Sequence, residues 1–148
     1  MIRFKIVTPD RILLEKEVES VTVPTQTGEI TILQNHIPLV SNLKSGELRY
    51  KESGVDNFFA VSGGFIEVRE GNQVIVLADT AEFVEEIDLD RAEQARQMAL
   101  KLMQESYSDE KGSADALALL EKNLARLRVA RKHRTHTRKN LESGIFNE

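Results

Sequence analysis

The spacing of apolar residues changes near residue 86 and divides the chain into two parts. In the first part apolar residues alternate with polar ones or form short β-branched runs, as in the VIVL segment of residues 74–77. In the second part they recur every three or four residues, as at Ala92, Ala95, Ala99 and Leu102. A period of two is typical of strands and a period near 3.6 of helices. The pattern predicts a β domain over residues 1–86 and a helical one over residues 87–148.

Short strand-like segments alternate with turn residues throughout the first part. Strands are predicted at residues 2–7, 11–18, 20–23, 30–33, 48–51, 57–61, 65–69 and 73–78. Hairpin turns are expected at residues 53–54 and 70–72, and residues 34–38 are expected to form a loop because Pro38 disfavours helix before it. This arrangement predicts an antiparallel β-sandwich of about 8–10 strands.

Two helices are predicted in the second part. The first runs from about Asp88 to Tyr107. Either Asp88 or Asp90 is placed to be its N-cap, because a carboxylate there accepts the free amide protons of the first turn. Asp90 also has Glu93 three residues on, which is the spacing of a capping box.

The second helix is predicted to follow a turn at residues 108–112, with Ser113 as its N-cap, and to end near Arg134. Four leucines in it follow the 3-4-3 spacing of a coiled-coil seam. They are Leu117, Leu120, Leu124 and Leu127. Because the first helix offers alanines for them to pack against, the two helices are predicted to form an antiparallel hairpin.

The predicted fold class is therefore α+β with two units, a sandwich followed by a helical hairpin. Each buried leucine contributes roughly 1.5–3 kcal/mol, whereas ordering each residue costs about 1–2 kcal/mol of backbone entropy. With so few large apolar residues, the hairpin is expected to be marginally stable alone. It is predicted to be a movable arm.

Composition excludes several classes of function. The 148 residues include no cysteine and only three histidines, so a disulfide framework, a thiolate metal site and a cysteine nucleophile are excluded. No apolar run approaches the roughly 20 residues of a membrane span, and a soluble cytoplasmic protein is expected. Gly63-Gly64 lacks the lysine of a nucleotide-binding loop, and His36 has no nucleophile motif near it. We expect a non-catalytic protein that requires no cofactor.

Charge is distributed unevenly along the chain. Residues 1–86 carry 8 Lys/Arg against 14 Asp/Glu, whereas residues 87–148 carry 12 against 10. The segment from Lys122 to Lys139 holds eight basic residues and no acidic one. Such a run neutralises phosphates in nucleic-acid-binding proteins, but it contains no aromatic residue for base stacking. A solvated helix face and a docking surface for an acidic protein are the other two interpretations.

Five segments in order along the chain are similar to one family. They are TPD at residues 8–10, GEITILQNHIPL at 28–39, VSGGFIEV at 61–68, VLADTA at 76–81 and RLRVA at 126–130. On these segments the chain resembles the ε subunits of bacterial F-type ATP synthases. The resemblance implies a regulatory, non-catalytic subunit of a proton-translocating synthase, held as a peripheral protein at the cytoplasmic face of the bacterial plasma membrane through the complex alone.

The resemblance also implies a set of partners. The sandwich would bind the γ subunit and face the ring of c subunits, coupling rotation to ATP synthesis, with Glu29 and His36 in the region near the ring. The arm would regulate ATP hydrolysis by docking on the catalytic β (and α) subunits, and no nucleic acid would be bound. The basic residues expected to dock on β are Arg126, Arg128, Arg131, Lys132 and Arg134.

The junction between the two parts resembles an ATP-binding signature of some ε subunits, an Ile-Asp pair followed by Arg-Ala. The resemblance implies ATP as a regulatory ligand, with Asp88 accepting a bond from the adenine amino group and basic residues facing phosphates. The implied ATP site comprises Glu82, Ile87, Asp88, Arg91, Ala92, Lys122 and Arg126. Lys122 replaces an arginine of the family, and Met98 stands where a further arginine can occur.

An alternative of another class remains open from the residues themselves. The chain would then be a free-standing adaptor whose basic coiled-coil arm binds nucleic acid or an acidic protein. Co-elution with a γ subunit would distinguish the two functions, because an adaptor would not co-elute.

Overall fold

The chain forms two compact units, Met1–Phe83 and Val84–Glu148. The computed structural model describes the backbone of residues 1–105 and 110–145 and the side chains of residues 1–105 and 112–133. The boundary expected from the sequence, between residues 86 and 87, lies three residues later. Within the described residues, no helix has both the length and the apolar character needed to cross a membrane.

The first unit contains eight β-strands. They are β1 (Ile2–Val7), β2 (Ile12–Val18), β3 (Ser20–Thr25), β4 (Gly28–Ile32), β5 (Leu39–Asn42), β6 (Gly46–Glu52), β7 (Val55–Arg69) and β8 (Gln73–Phe83). They are hydrogen-bonded in the order β2-β1-β8-β7-β6-β3-β4, and β5 pairs with β7 outside that path. All pairs are antiparallel except β1 with β8.

The β7–β8 hairpin joins the two layers of the sandwich. The first half of β7 pairs with β6 through residues 55–61, and its second half pairs with β5 through residues 65–68. The buried parity of β7 changes between Val61 and Ile66, so the strand turns from one layer to the other at residues 62–65. Gly63 and Gly64 lie at this bend with φ values of 68° and 113°, which favour glycine because it has no Cβ.

Alternating apolar side chains of both layers fill the core. On β1 the inward residues Ile2, Phe4 and Ile6 are buried, and the residues between them are not. The Tyr50 ring lies 5.6 Å from that of Phe4 and 6.2 Å from that of Phe59, centroid to centroid. Tilted rings at such distances contribute beyond the area they bury. The aromatic cluster anchors the centre of the sandwich.

The predicted fold class is confirmed, a sandwich followed by two helices. Three details differ from the expectation. The strands predicted at residues 57–61 and 65–69 form the single strand β7, β8 extends to Phe83, and β5 was not predicted. The short β5 segment lies beside Pro38 and has no regular alternation of its own. Only its pairing with β7 makes it a strand.

The second unit contains α1 (Leu89–Glu105) and α2 (Glu110–Ile145), preceded by a 3₁₀ turn at Val84–Glu86. Because α2 begins at Glu110, Ser113 lies inside the helix and the expected N-cap there is wrong. The predicted turn at residues 108–112 lies partly outside the described residues, and residues 110–112 of it are helical. The helix also continues 11 residues beyond its predicted end at Arg134.

The hairpin seam is offset from the predicted leucine stripe. Leu117 and Leu124 are exposed, and so is Leu102 of α1. One stripe of α2 instead follows a 4-3-4-3 spacing through Ala116, Leu120, Asn123, Leu127 and Ala130, of which Leu120 is half-buried and the others are buried. Ala125 and Val129, on another side of α2, are also buried. The 4-3-4-3 stripe meets a stripe of α1 that contains the buried residues Ala92 and Ala99. The small alanines allow close approach of the helices, so leucines outside this seam remain in contact with solvent.

We predict that Gly64→Ala destabilises the sandwich far more than Gly71→Ala. A Cβ at residue 64 would lie 2.0 Å from the Leu77 carbonyl oxygen, whereas a Cβ at residue 71 meets nothing within 4 Å. Both glycines have positive φ, so both variants incur the strain of about 1–2 kcal/mol for a left-handed residue. Chemical denaturation of both variants measures the difference. Equal losses of stability would contradict a close approach at Gly64.

Candidate functional site

Asp88 is the N-cap of α1. Its Oδ1 accepts hydrogen bonds from the backbone N–H groups of Asp90 at 3.0 Å and Arg91 at 3.2 Å, while its carbonyl accepts the N–H of Ala92 at 3.0 Å. Of the two caps considered, the structure therefore selects Asp88. The capping box of Asp90 with Glu93 does not form, because the Glu93 carboxylate pairs with arginines instead.

The Ile-Asp-x-x-Arg-Ala segment separates into buried and exposed positions. Ile87 and Ala92 are at most 1% exposed, and the Ile87 N–H donates to the Val84 carbonyl at 3.2 Å. Asp88 and Arg91 are exposed. The apolar pair thus fixes the start of α1, and the charged pair faces solvent, where it can meet a ligand.

Lys122 and Arg126 lie one turn apart on α2, and both are half-buried. The Arg126 guanidinium donates to Asn123 Oδ1 at 2.9 Å, and Asn123 Nδ2 donates to the Leu119 carbonyl at 2.8 Å. Asn123 is only 1% exposed. Because both its Nδ2 and its Oδ1 are hydrogen-bonded, the buried Asn123 amide is fixed and orients the Arg126 guanidinium. This role of Asn123 was not predicted.

Helical geometry places four of the seven expected ATP residues on one flank of the hairpin. Glu93 of α1 and Arg131 of α2 meet at 3.5 Å, which identifies the flank on which they lie. At about 100° per residue, Asp88 and Arg91 lie on the opposite side of the α1 seam, and Lys122 and Arg126 on the opposite side of the α2 seam. We call the flank defined by these four residues the capping flank.

The two ends of the capping flank are separated along the hairpin. With Glu93 level with Arg131, Arg126 lies about 10 Å along the axis from Arg91, from a rise of about 1.5 Å per residue. Extended arginine and lysine side chains shorten this gap. By the same rise, Asp88 lies about 15 Å along the axis from Arg126. Glu82 belongs to the first unit, on β8 opposite Ala60.

The other flank carries a groove of about 490 Å³ lined by charged and apolar residues. Its lining is Glu93, Arg96, Leu124, Leu127, Arg128 and Arg131. Glu93 accepts from Arg96 at 2.6 Å and lies 3.5 Å from Arg131. The hydrogen bond from Arg96, followed by the charge of both arginines, lowers the pKa of the Glu93 carboxyl, while Glu93 raises the pKa of Arg96. We call this the arginine flank.

The five basic residues expected to dock on a β subunit do not share one face. Arg128, Arg131 and Lys132 are exposed and lie within an arc of about 100° on the side of the arginine flank. Arg126 is half-buried on the capping flank. The side chain of Arg134 lies outside the described ones. The structure therefore brings together three of the expected docking residues.

The residues expected near the rotor ring lie on separate elements of the first unit. Glu29 is exposed on β4 opposite Pro24. His36 follows β4 in a loop, where its N–H donates to the Leu33 carbonyl at 3.2 Å and its Nδ1 lies 2.7 Å from the Ile37 carbonyl oxygen. Leu33 and Ile37 on either side of it are 59% and 75% exposed. The loop presents apolar tips around a histidine.

An apolar surface on the outer face of the sandwich was not predicted. Phe65 of β7 lies directly opposite Leu77 of β8 and Asn42 of β5, so their side chains share one face. Val40 lies two residues from Asn42 on the same face. Phe65, Leu77 and Val40 are 51%, 45% and 68% exposed. We call these three residues the outer apolar patch; exposed patches of this kind are typical of protein interfaces.

Comparison with known proteins identifies the family. The family model described as ATP synthase, Delta/Epsilon chain, beta-sandwich domain matches residues 1–84. The chain is 44% identical to the ATP synthase epsilon chain of Herpetosiphon aurantiacus over 133 residues, covering 90% of this chain and 96% of the relative. The chain belongs to the ATP synthase epsilon chain family. A relative from Bacillus pumilus is 41% identical over 131 residues, covering 88% of this chain and 98% of that one.

Solved structures place the epsilon-chain fold in rotary synthases. A chain in the Euglena gracilis mitochondrial ATP synthase OSCP/F1/c-ring assembly matches with a TM-score of 0.68 and 29% identity, covering 81% of this chain and 75% of that chain. A chain in the Tetrahymena thermophila central stalk and c-ring shares the fold, with a TM-score of 0.60, 14% identity and coverage of 87% and 96%. The predicted family is confirmed.

Of three unpredicted features, two had partial signals in the sequence. Asn123 interrupts the 4-3-4-3 seam of α2, which marks it as an inward polar residue. Arg96 follows Glu93 by three residues, a spacing that brings helix side chains together. The outer apolar patch has no local signal, because it depends on strand pairing. Among the described residues, no group of three or more His, Asp or Glu side chains is arranged to hold a metal ion.

Proposed function

We propose that this epsilon chain is a non-catalytic central-stalk subunit of a bacterial F-type ATP synthase, peripheral at the cytoplasmic face of the plasma membrane. Its sandwich binds the γ subunit and faces the ring of c subunits, and so takes part in coupling rotation to ATP synthesis. Its hairpin regulates ATP hydrolysis. The observation that carries the regulatory part is the division of the hairpin into a capping flank suited to an anion and an arginine flank suited to an acidic surface.

The outer apolar patch supports docking of the sandwich on γ. Its side chains stand on three adjacent strands of a rigid sheet, so they are held in a fixed arrangement without loop ordering. Burying one large apolar side chain contributes about 1.5–3 kcal/mol. Burial of Phe65 and Leu77 can therefore account for a substantial part of the affinity between this chain and γ.

We predict that Phe65→Ser and Leu77→Ser each weaken binding to γ by roughly 10–100-fold, since each removes the burial of one large apolar group. Titration calorimetry with purified γ measures the change. Val55→Ser is the matched control, because Val55 is 62% exposed on the same strand but outside the patch. Unchanged affinity in both patch variants would place the γ interface elsewhere.

ATP fits the capping flank in one orientation. Asp88 uses Oδ1 for capping, and its carboxylate can also accept a bond from the adenine amino group. The phosphates then lie toward Lys122 and Arg126, whose guanidinium Asn123 already orients. Lysine acts as a point charge rather than a fork, so Arg126 supplies the directional contact. A nucleotide that contacts both helices stabilises the folded hairpin.

We predict that ATP raises the thermal stability of the hairpin in the isolated chain. A ligand that binds only the folded form at 100 times its Kd stabilises it by about 2.7 kcal/mol. Arg126→Ala should abolish the shift, and Asp88→Ser should reduce it while keeping a capping oxygen. Arg128→Ala, on the arginine flank, is the control that keeps it. Helix-sensitive circular dichroism melts measure this, and no shift of the unmodified chain at millimolar ATP would contradict the site.

The arginine flank supports docking of the arm on the catalytic β subunits. Single exposed ion pairs contribute about 0–1 kcal/mol and are screened by salt. Arg128, Arg131 and Lys132 together can bind an acidic segment more firmly than any single pair, and the exposed Leu124 lines the same groove as the two arginines. Because ATP favours the folded hairpin, it opposes the extended arm by population shift.

We predict that replacing Arg126, Arg128, Arg131, Lys132 and Arg134 by alanine raises ATP hydrolysis of the reconstituted complex, most at low ATP and low salt. The triple substitution of Arg128, Arg131 and Lys132 should give most of this increase, because these three share the exposed face. Substituting Lys122 and Arg126 should instead weaken the ATP response. Steady-state hydrolysis assays measure both. An unchanged rate in the fivefold variant would show that the charge run is a solvated face.

A further inference from the structure

The turn between β7 and β8 places one asparagine at the meeting point of three segments. Asn72 has a φ of 59°, next to Gly71 at 79°. Its carbonyl accepts the N–H of Arg3 at 2.8 Å, and its side-chain Oδ1 accepts the N–H of Asn35 at 2.6 Å. One residue therefore connects its own turn to the start of β1 and to the loop that contains His36.

The geometry of the loop leaves the Asn35 N–H to be paired from outside the loop. Its β-turn is closed by the bond from the His36 N–H to the Leu33 carbonyl, and Asn35 has a left-handed φ of 64°. That turn leaves the Asn35 N–H pointing away from the turn, with no acceptor inside it. Asn72 supplies the acceptor from a neighbouring hairpin, 37 residues away in sequence.

The same loop carries the most exposed apolar tip of the sandwich. Ile37 and Leu33 are 75% and 59% exposed on either side of His36. Exposed apolar tips on an otherwise mobile turn lose entropy when they dock, and fixing the turn beforehand reduces this cost. A hydrogen bond from a rigid hairpin performs this preorganisation.

We propose that Asn72 is a positioning residue that holds the Leu33–Ile37 loop in the orientation in which it meets the rotor ring. The inference rests on the proposed function, in which the sandwich faces the ring of c subunits, and on the expectation that His36 of this loop lies in the region near the ring. Asn72 itself touches no partner in this scheme. It acts through the Asn35 N–H, and its loss frees the loop without altering the sandwich core.

Asn72→Gly is the test variant. Glycine adopts positive φ readily, so the turn and the bond from Arg3 are retained while Oδ1 is removed. Asn72→Asp is the matched control, because its carboxylate keeps an acceptor at the same place. Hydrogen exchange of the Asn35 amide in the isolated chain should become at least tenfold faster in Asn72→Gly and stay slow in Asn72→Asp. Unchanged exchange in Asn72→Gly would overturn the proposal.

The functional readout is the ratio of proton pumping to ATP hydrolysis in reconstituted membranes. We expect Asn72→Gly to lower this ratio and Asn72→Asp to leave it at the value of the unmodified chain. The thermal unfolding temperature of the sandwich should stay near that of the unmodified chain in both variants. The double substitution Leu33→Ser with Ile37→Ser separates the two hypotheses. A normal ratio in the double variant would overturn the ring contact itself. A lowered ratio there with a normal ratio in Asn72→Gly would overturn only the role of Asn72.

Discussion

The long antiparallel ladder between β7 and β8 is the pairing on which the rest of the sandwich depends. It is the one element shared by both layers, because β6 pairs with the first half of β7 and β5 with the second. The double glycine at residues 63–64 allows the ladder to bend between the Ser62–Thr80 and Gly64–Ala78 pairs. The outer apolar patch, proposed to bind γ, follows from this bend because Phe65 lies just beyond it. Asn72, which accepts the Asn35 N–H, lies at the far end of the hairpin.

The hairpin is stabilised by a different and weaker kind of interaction. Its seam is rich in alanine and contains a buried amide at Asn123, so it buries little large apolar area. A polar residue in a helical seam specifies register at a cost in stability. The seam therefore defines one register for the hairpin while burying little apolar area, as the proposed regulatory role requires.

Much of the fold could be predicted from the sequence because it depends on local pattern. Alternation identified most strands, and the change of period at residue 86 located the helices. The bent β7 could not be predicted, because the strand predicted to end at Val61 continues only through pairing with β8. The offset between the predicted leucine stripe and the observed seam could not be predicted for a similar reason. Four leucines at 3-4-3 spacing form a clear apolar pattern, whereas small alanines form a weak one. The residues of the candidate site follow from the resemblance, whereas its two flanks depend on the contact between Glu93 and Arg131, which no local sequence pattern predicts.

The parallel pairing of β1 with β8 has a consequence for synthesis of the chain. The first strand made finds its inner neighbour only when residues 73–77 have been translated, so until then β1 and β2 form an isolated hairpin with an open edge. Outward charges at Arg3 and Lys5 protect that edge from pairing with other chains. The sandwich closes late, with the helical arm following directly. A nascent chain stalled before β8 would therefore be exposed to aggregation, whereas one stalled within the arm would already hold a complete sandwich.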